Sequence, residues 1–73
     1  MDFKDALKKI RTERGMTQRD VYMQLKISPN GYASWEQGRT EPDIASIKKL
    51  CKIFDVSADY LLGLTDEEGN KLQ

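Results

Sequence analysis

The sequence predicts an all-α domain built from five short helices. Three observations support this: apolar residues recur at helical spacing, capping residues precede those segments, and no segment shows the apolar–polar alternation of a strand. With 73 residues, the chain makes one small domain near the lower size limit for a single core. A third of the residues are charged and no apolar run approaches the length of a membrane span, which predicts a soluble protein.

The first helix is predicted over residues 2–14. Asp2 is a candidate N-cap, and Gly15 ends the helix. Its apolar face consists of residues at helical spacing: Phe3, Leu7 and Ile10. Arg11 lies at the edge of this face, where its side chain can turn inward.

A second helix is predicted to begin at Thr17 and to end near Lys26. Thr17 and Asp20 approximate a capping box in which a shorter acid replaces the usual glutamate. Val21 and Leu25 form its buried stripe, which Tyr22 can extend, and we expect the following turn to add one more apolar side chain to the core.

Both ends of the third helix are specified locally. Ser28 is a candidate N-cap, Pro29 suits the first helical position, and Gly38 suits the left-handed residue after the last turn. Tyr32 and Trp35 share one face, which we expect to pack into the core. Because so few residues separate the second and third helices, the two must cross steeply, as in a helix-turn-helix unit.

The fourth helix is predicted to start at about Asp43, its candidate cap, and it has the most regular apolar stripe: Ile44, Ile47, Leu50, Cys51 and Phe54. A last short helix is predicted over residues 58–62, capped by Ser57 and closed by Gly63. The predicted domain therefore covers residues 1–64, and residues 65–73 are predicted to form a polar, acidic tail or linker.

Charge is unevenly distributed along the chain although the net charge is zero. Residues 1–53 carry eleven Lys and Arg against seven Asp and Glu, a net charge of +4, and residues 54–73 carry −4. A mildly basic body beside an acidic end is compatible with nucleic-acid binding. Ordinary solvated helix faces explain the same numbers equally well.

Several functional classes lack the residues that they need. The chain has no histidine and a single cysteine, Cys51, so it offers no histidine-based catalysis, no Cys-rich zinc site and no internal disulfide. We therefore expect no enzyme activity, no cofactor and no metal, and no small-molecule ligand is evident. The charged start of the chain is unlike a secretory leader, which together with the free thiol predicts a cytoplasmic protein.

Four stretches in order resemble the Cro/repressor-type helix-turn-helix family of DNA-binding transcriptional regulators: residues 15–21, 27–28, 32–42 and 54–63. The resemblance extends over residues 3–64 and implies a five-helix domain whose third helix enters the DNA major groove. It implies base contacts near the start of that helix: Ser28, Pro29, Asn30, Ala33 and Ser34. It implies phosphate contacts on either side of it: Thr17, Gln18, Arg19, Arg39 and Thr40. It also implies a buried ion pair between Arg11 and Glu36.

Three features depart from the family pattern. Tyr22 stands where relatives have a small residue, and it must either be accommodated or lie on the surface. Lys26 stands where they have glycine in the turn, so either the lysine adopts a positive φ at a cost on the order of 1 kcal/mol or the turn is reshaped. The predicted reading face is also poor in side chains that hydrogen-bond to bases.

Asn30 is the strongest candidate for direct readout, because its amide can pair bidentately with adenine. The alternative is a solvated residue that helps to cap the helix. Pro29 and Ala33 can touch a thymine methyl group, although helix rules explain both residues too. The Tyr32 hydroxyl is a further candidate for a phosphate contact. So few base readers predict a large contribution from DNA shape and phosphate contacts.

The sequence therefore predicts a sequence-specific DNA-binding transcriptional regulator, specifically a repressor that occupies a near-palindromic operator in double-stranded DNA as a homodimer. The candidate dimer residues lie toward the C-terminal end: Ile53, Tyr60, Leu61 and Leu64. The alternative is a protein-interaction module of the same fold that has no strong DNA affinity. The zero net charge and the sparse reading face favour this alternative, whereas the predicted phosphate contacts favour DNA.

Overall fold

The computed structural model describes residues 1–72 and contains five helices: α1 (Phe3–Glu13), α2 (Gln18–Leu25), α3 (Pro29–Gln37), α4 (Ile44–Phe54) and α5 (Ala58–Leu61). The predicted all-α, five-helix fold class is confirmed. None of these helices is both long and apolar enough to cross a membrane.

Side-chain caps begin four of the five helices. The Thr17 hydroxyl accepts a hydrogen bond from the Asp20 amide (3.0 Å), and the Asp20 carboxylate accepts one from the Thr17 amide (2.8 Å), which completes the predicted capping box. In the other three caps, the side chain likewise accepts a hydrogen bond from the backbone amide three residues further on: Ser28, Asp43 and Ser57. Asp2 occupies the predicted N-cap position of α1, but its side chain makes no capping hydrogen bond.

Lys26 closes α2 in the left-handed region, with φ 59° and ψ 42°. The turn is therefore not reshaped to avoid the lysine, and the expected strain on the order of 1 kcal/mol applies. Gly38 closes α3 with φ 78°, as its sequence position predicts. Between the two helices, the Ile27 amide donates to the Tyr22 carbonyl (3.2 Å), and both side chains pack partly buried against the core.

All five helices contribute to one core: Leu7, Ile10, Val21, Leu25, Tyr32, Trp35, Leu50, Phe54 and Leu61. The rings of Tyr32 and Trp35 meet edge to face with centroids 5.8 Å apart. Fully burying an aliphatic or phenylalanine side chain contributes about 1.5–3 kcal/mol, and the rings of Tyr32 and Trp35 add apolar area of the same kind. The buried face of α3 therefore holds that helix against the rest of the domain.

Ile44 does not join this core, although the apolar stripe of α4 predicts that it does. Its side chain is 73% exposed at the first position of α4. It lies at the edge of an open apolar groove that Phe3, Ile47 and Leu62 also line. Periodicity identifies the inward side of a helix, but it does not show how far along the helix its neighbours extend.

The segment after α5 folds back on the domain as far as Leu72. The Leu72 amide donates to the Leu64 carbonyl (3.0 Å), and Thr65 pairs with Lys71 in an isolated antiparallel bridge. Thr65 is buried, so the segment predicted to be a tail is in contact with the domain. Gln73 lies outside the described residues, and the domain boundary at residue 64 stays a prediction.

Candidate nucleic-acid interface

The first turn of α3 is open to solvent while the opposite face of the helix is buried. Ser28, Pro29 and Asn30 are exposed, whereas Tyr32 is 0% and Trp35 9% exposed. The exposed residues include Asn30, the main candidate for base readout. Of the other predicted base contacts, Ala33 and Ser34 are half-buried on the next turn. The turn that the sequence predicts to contact bases is therefore exposed in the structure.

An ion pair holds α3 against α1. The Arg11 Nε lies 2.7 Å from the Glu36 Oε2, and the Arg11 Nη2 donates to the Glu36 Oε1 (3.1 Å), which makes the pair bidentate. The Arg11 Nη1 donates to the Met16 carbonyl (2.8 Å). The side chains of Arg11 and Glu36 are 11% and 4% exposed, so the ion pair is largely buried. It connects α1 both to α3 and to the turn that precedes α2.

Two further donors reach the same carboxylate. The Tyr32 hydroxyl donates to the Glu36 Oε2, and the Gln18 Nε2 donates to the Glu36 Oε1 (3.2 Å). Tyr32 is fully buried and its hydroxyl is engaged with Glu36, so its predicted phosphate contact is wrong. Burial, together with Glu36, raises the pKa of Tyr32 and keeps it neutral.

The pKa of Glu36 reflects opposing effects. Burial raises it, but the hydrogen bonds from Arg11, Tyr32 and Gln18 outweigh burial, and the net pKa lies below its usual value. The hydrogen bond from Arg11 to Glu36 raises the pKa of the guanidinium. Both groups are therefore charged at neutral pH, and the network retains its ionic character.

The predicted phosphate-contact residues at the start of α2 differ in their freedom. Thr17 and Arg19 are exposed. Gln18 is half-buried, and one of its amide hydrogens is directed to Glu36. Because a carboxylate can only accept, this contact sets the orientation of the Gln18 amide and leaves its second N–H for another acceptor. Residue spacing along the sequence does not reveal this link between α2 and α3.

On the other side of α3, the structure brings together a predicted base contact and a predicted phosphate contact. The Ser34 Oγ and the Thr40 Oγ1 lie 2.7 Å apart and share a hydrogen bond. Arg39, between them in the chain, is exposed. The loop after α3 therefore continues the exposed surface of the helix.

The predicted dimer residues divide into buried and accessible ones. Leu61 is 0% exposed and belongs to the core, so its assignment to a dimer interface is wrong. Ile53 and Tyr60 are half-buried, and Leu64 is 56% exposed. Leu62, next to Leu61, is the more exposed of the two at 38%. α5 has little more than one turn, so the sequence alone did not show which leucine faces inward.

Comparison with known proteins identifies the family. A helix-turn-helix family model matches residues 7–61, which is most of the chain and includes all of α2, α3 and α4. The chain belongs to the helix-turn-helix family. The predicted resemblance is thereby confirmed, and family membership confirms that this domain is not an enzyme.

The helix-turn-helix domain is similar to transcriptional regulators of bacteria. It is 42% identical over 60 residues to the SPbeta prophage-derived HTH-type transcriptional regulator YonR of Bacillus subtilis, covering 82% of this chain and 56% of YonR. It is 36% identical over 62 residues to the HTH-type transcriptional activator BcrR of Enterococcus faecalis, covering 85% of this chain and 30% of BcrR.

A solved structure has the same fold. The crystal structure of a transcriptional regulator from Listeria innocua matches with a TM-score of 0.80 and 27% identity, covering 90% of this helix-turn-helix chain and 62% of that one. The match covers about half the length of YonR and about a third of the length of BcrR. Their shared part is therefore the helix-turn-helix domain.

Proposed function

We propose that this domain binds double-stranded DNA, with the first turn of α3 in the major groove, and that it regulates transcription. One observation carries the proposal: the first turn of α3 is exposed, while the rest of the helix is held by a buried aromatic face and the Arg11–Glu36 ion pair. A helix supported in this way can enter a groove without losing its contacts to the domain. The names of the relatives support the regulatory role.

Direct readout in this proposal rests mainly on Asn30, whose exposed amide can donate to and accept from adenine. Ser28 and Ser34 offer hydroxyl groups, and Pro29 and Ala33 offer apolar contact to a thymine methyl. The Ser34 hydroxyl is hydrogen-bonded to the Thr40 hydroxyl. It can contact a base only if it gives up this hydrogen bond or forms a second one. The sparse set favours readout of DNA shape in addition to base edges.

Phosphate contacts flank the recognition helix on both sides. At the start of α2 the proposed contacts are Thr17, Gln18 and Arg19, and after α3 they are Arg39 and Thr40. The second N–H of Gln18 is the donor that remains after its bond to Glu36. Two groups of donors on opposite sides of one helix set the depth and direction of its insertion.

The proposed mode of regulation is repression by occupancy of an operator. Occupancy requires only binding, whereas activation, as the name of BcrR implies for that protein, requires a further contact with the transcription machinery. The proposal includes a homodimer that places two recognition helices about 34 Å apart on a near-palindromic site. Leu64 is the exposed candidate for its interface, with Ile53 and Tyr60 at the margin. Because the relatives are bacterial, the proposal also includes a cytoplasmic location, where bacterial DNA lies.

A salt titration tests the proposal. Binding to mixed-sequence DNA is measured at several salt concentrations, and a linear fall of log K with log salt, with a slope of about −0.9 for each phosphate contact, is expected. Asn30→Ala serves as the matched variant: it should weaken binding to a selected site while leaving the mixed-DNA slope unchanged. A flat slope for the wild-type protein would contradict DNA binding and favour the protein-interaction alternative.

Selection of bound fragments from random DNA provides the sequence and the half-site spacing. Sedimentation of the protein with and without a selected fragment then measures the stoichiometry. Two protomers on a palindromic fragment are expected. A single protomer under all conditions would refute the homodimer and leave the DNA contact intact.

A further inference from the structure

A cleft of about 370 Å³ separates the start of α1 from the loop after α3. Lys4 of α1 lines it together with Arg39 and Thr40, two of the proposed phosphate contacts. Thr40 in turn shares a hydrogen bond with Ser34 on the exposed side of α3. The surface is therefore continuous from the recognition helix to Lys4.

The side chain of Lys4 packs against Gly38. A Cβ atom built on Gly38 would lie 2.6 Å from the Lys4 Cδ, so the aliphatic chain of the lysine packs across the glycine. Gly38 also has a left-handed φ of 78°, which glycine adopts more easily than residues with a side chain. Both the backbone angle and the contact with Lys4 therefore favour glycine at this position. A surface lysine commonly packs its aliphatic chain against the protein while its ammonium group stays in water.

The charged end of Lys4 remains available. The side chain is 42% exposed, and its Nζ lies 3.4 Å from the Asp5 carboxylate, which is itself 60% exposed. Exposed pairs of this kind contribute little free energy, so the ammonium can exchange this partner for a phosphate.

From this placement we propose that the cleft binds a backbone phosphate of DNA and that Lys4 is its ammonium donor, beside Arg39 and Thr40. The inference rests on the proposed DNA-binding function and adds α1 to the surface that contacts DNA. Asp2 and Glu41 also line the cleft and balance the two cations at long range. The contribution of Lys4 must therefore come from direct contact with a phosphate, not from general attraction.

The test compares Lys4→Met, which keeps the aliphatic chain but removes the charge, with Lys8→Met, which removes an exposed lysine one turn further along α1. Lys4→Arg is the third variant and restores a donor. Binding to one DNA fragment is measured at salt concentrations from about 50 to about 200 mM, after thermal unfolding has shown that each variant is folded. The loss of one phosphate contact should make the negative slope shallower by about 0.9. The ratio of the Lys4→Met Kd to the wild-type Kd should therefore be about threefold larger at the lowest salt concentration than at the highest.

Lys8→Met is expected to leave the slope unchanged, and Lys4→Arg is expected to retain it. Equal effects of Lys4→Met and Lys8→Met, or a Lys4→Arg variant that behaves like Lys4→Met, would overturn the assignment of Lys4. If the wild-type protein keeps its salt slope in that case, DNA binding stands and only the Lys4 site is rejected. A wild-type slope of zero would reject both.

Discussion

Replacing Arg11 with methionine tests the charged network that holds α3 against α1. The substitution removes two hydrogen bonds to Glu36 and one to the Met16 carbonyl, and it leaves a carboxylate that is 4% exposed without its cation. Breaking one partner of a buried ion pair costs about 3–5 kcal/mol. Because Tyr32 and Gln18 still donate to Glu36, we expect the lower end, about 3 kcal/mol, as the loss in free energy of unfolding.

Urea unfolding at pH 7 measures this loss, and a second substitution identifies its origin. In the double variant Arg11→Met/Glu36→Gln the buried charge is gone, and the oxygen of the introduced amide can still accept from Tyr32. The double variant should therefore be more stable than Arg11→Met alone. Together with the single variant Glu36→Gln, the cycle should give a pairwise coupling of about 1–2 kcal/mol. A loss below about 1 kcal/mol for Arg11→Met, or strictly additive effects, would refute the assignment of a desolvated charge pair.

The pH dependence follows from the direction of the Glu36 pKa. In the wild-type protein this pKa lies below its ordinary value of 4.5, so the contribution to stability is present above that value and is lost as the pH falls through the folded-state pKa. Removal of Arg11 leaves burial in place and raises the pKa of Glu36. The destabilisation caused by Arg11→Met should therefore shrink between pH 7 and pH 4, and a penalty that stays constant would contradict this linkage.

Three other assignments are tested by substitution, two of them with a control variant. Lys26→Gly should raise the free energy of unfolding by up to about 1 kcal/mol because Lys26 has a φ of 59°, whereas Lys26→Ala, which keeps a Cβ, should bring no such gain; equal urea midpoints for the two would contradict the strain. Leu61→Ala should cost about 2–5 kcal/mol in urea unfolding because Leu61 is fully buried, and Leu64→Ala should stay within about 0.5 kcal/mol; similar losses would contradict their different burial. Asn30→Ala should reduce discrimination at one base pair of a selected site by about 1–3 kcal/mol with little change in thermal stability, and uniform weakening across all sequences would indicate a phosphate contact instead.

Local chemistry made most of the secondary structure predictable. The caps at Thr17, Ser28, Asp43 and Ser57 and the left-handed end at Gly38 depend on side chains and backbone groups within one helical turn. Such interactions can be read from residue type and spacing, because tertiary neighbours are not needed to make them. Asp2 shows the limit: it has the right residue type and position, but its side chain makes no capping bond.

The exposure of the candidate interface was predictable from the sequence, and the hydrogen bonds behind it were less so. The order of the family motifs placed the exposed turn at Ser28–Asn30 and paired Arg11 with Glu36, and both features are present. Engagement of the Tyr32 hydroxyl and of Gln18 with Glu36 required knowledge of how the three helices approach one another. The packing of Lys4 across Gly38 joins residues far apart in the chain and has no local signal.

By itself, the sequence determined the number of helices, where most of them begin, and which side of each carries apolar residues, since these properties arise within a few residues of backbone. Tertiary packing alone decided that Ile44 stays exposed, that Leu61 is buried, and that the Tyr32 hydroxyl and the Gln18 amide join Arg11 as donors to Glu36. The physical reason is that burial and charge pairing depend on distances between helices, and those distances are set only when all five helices share one core.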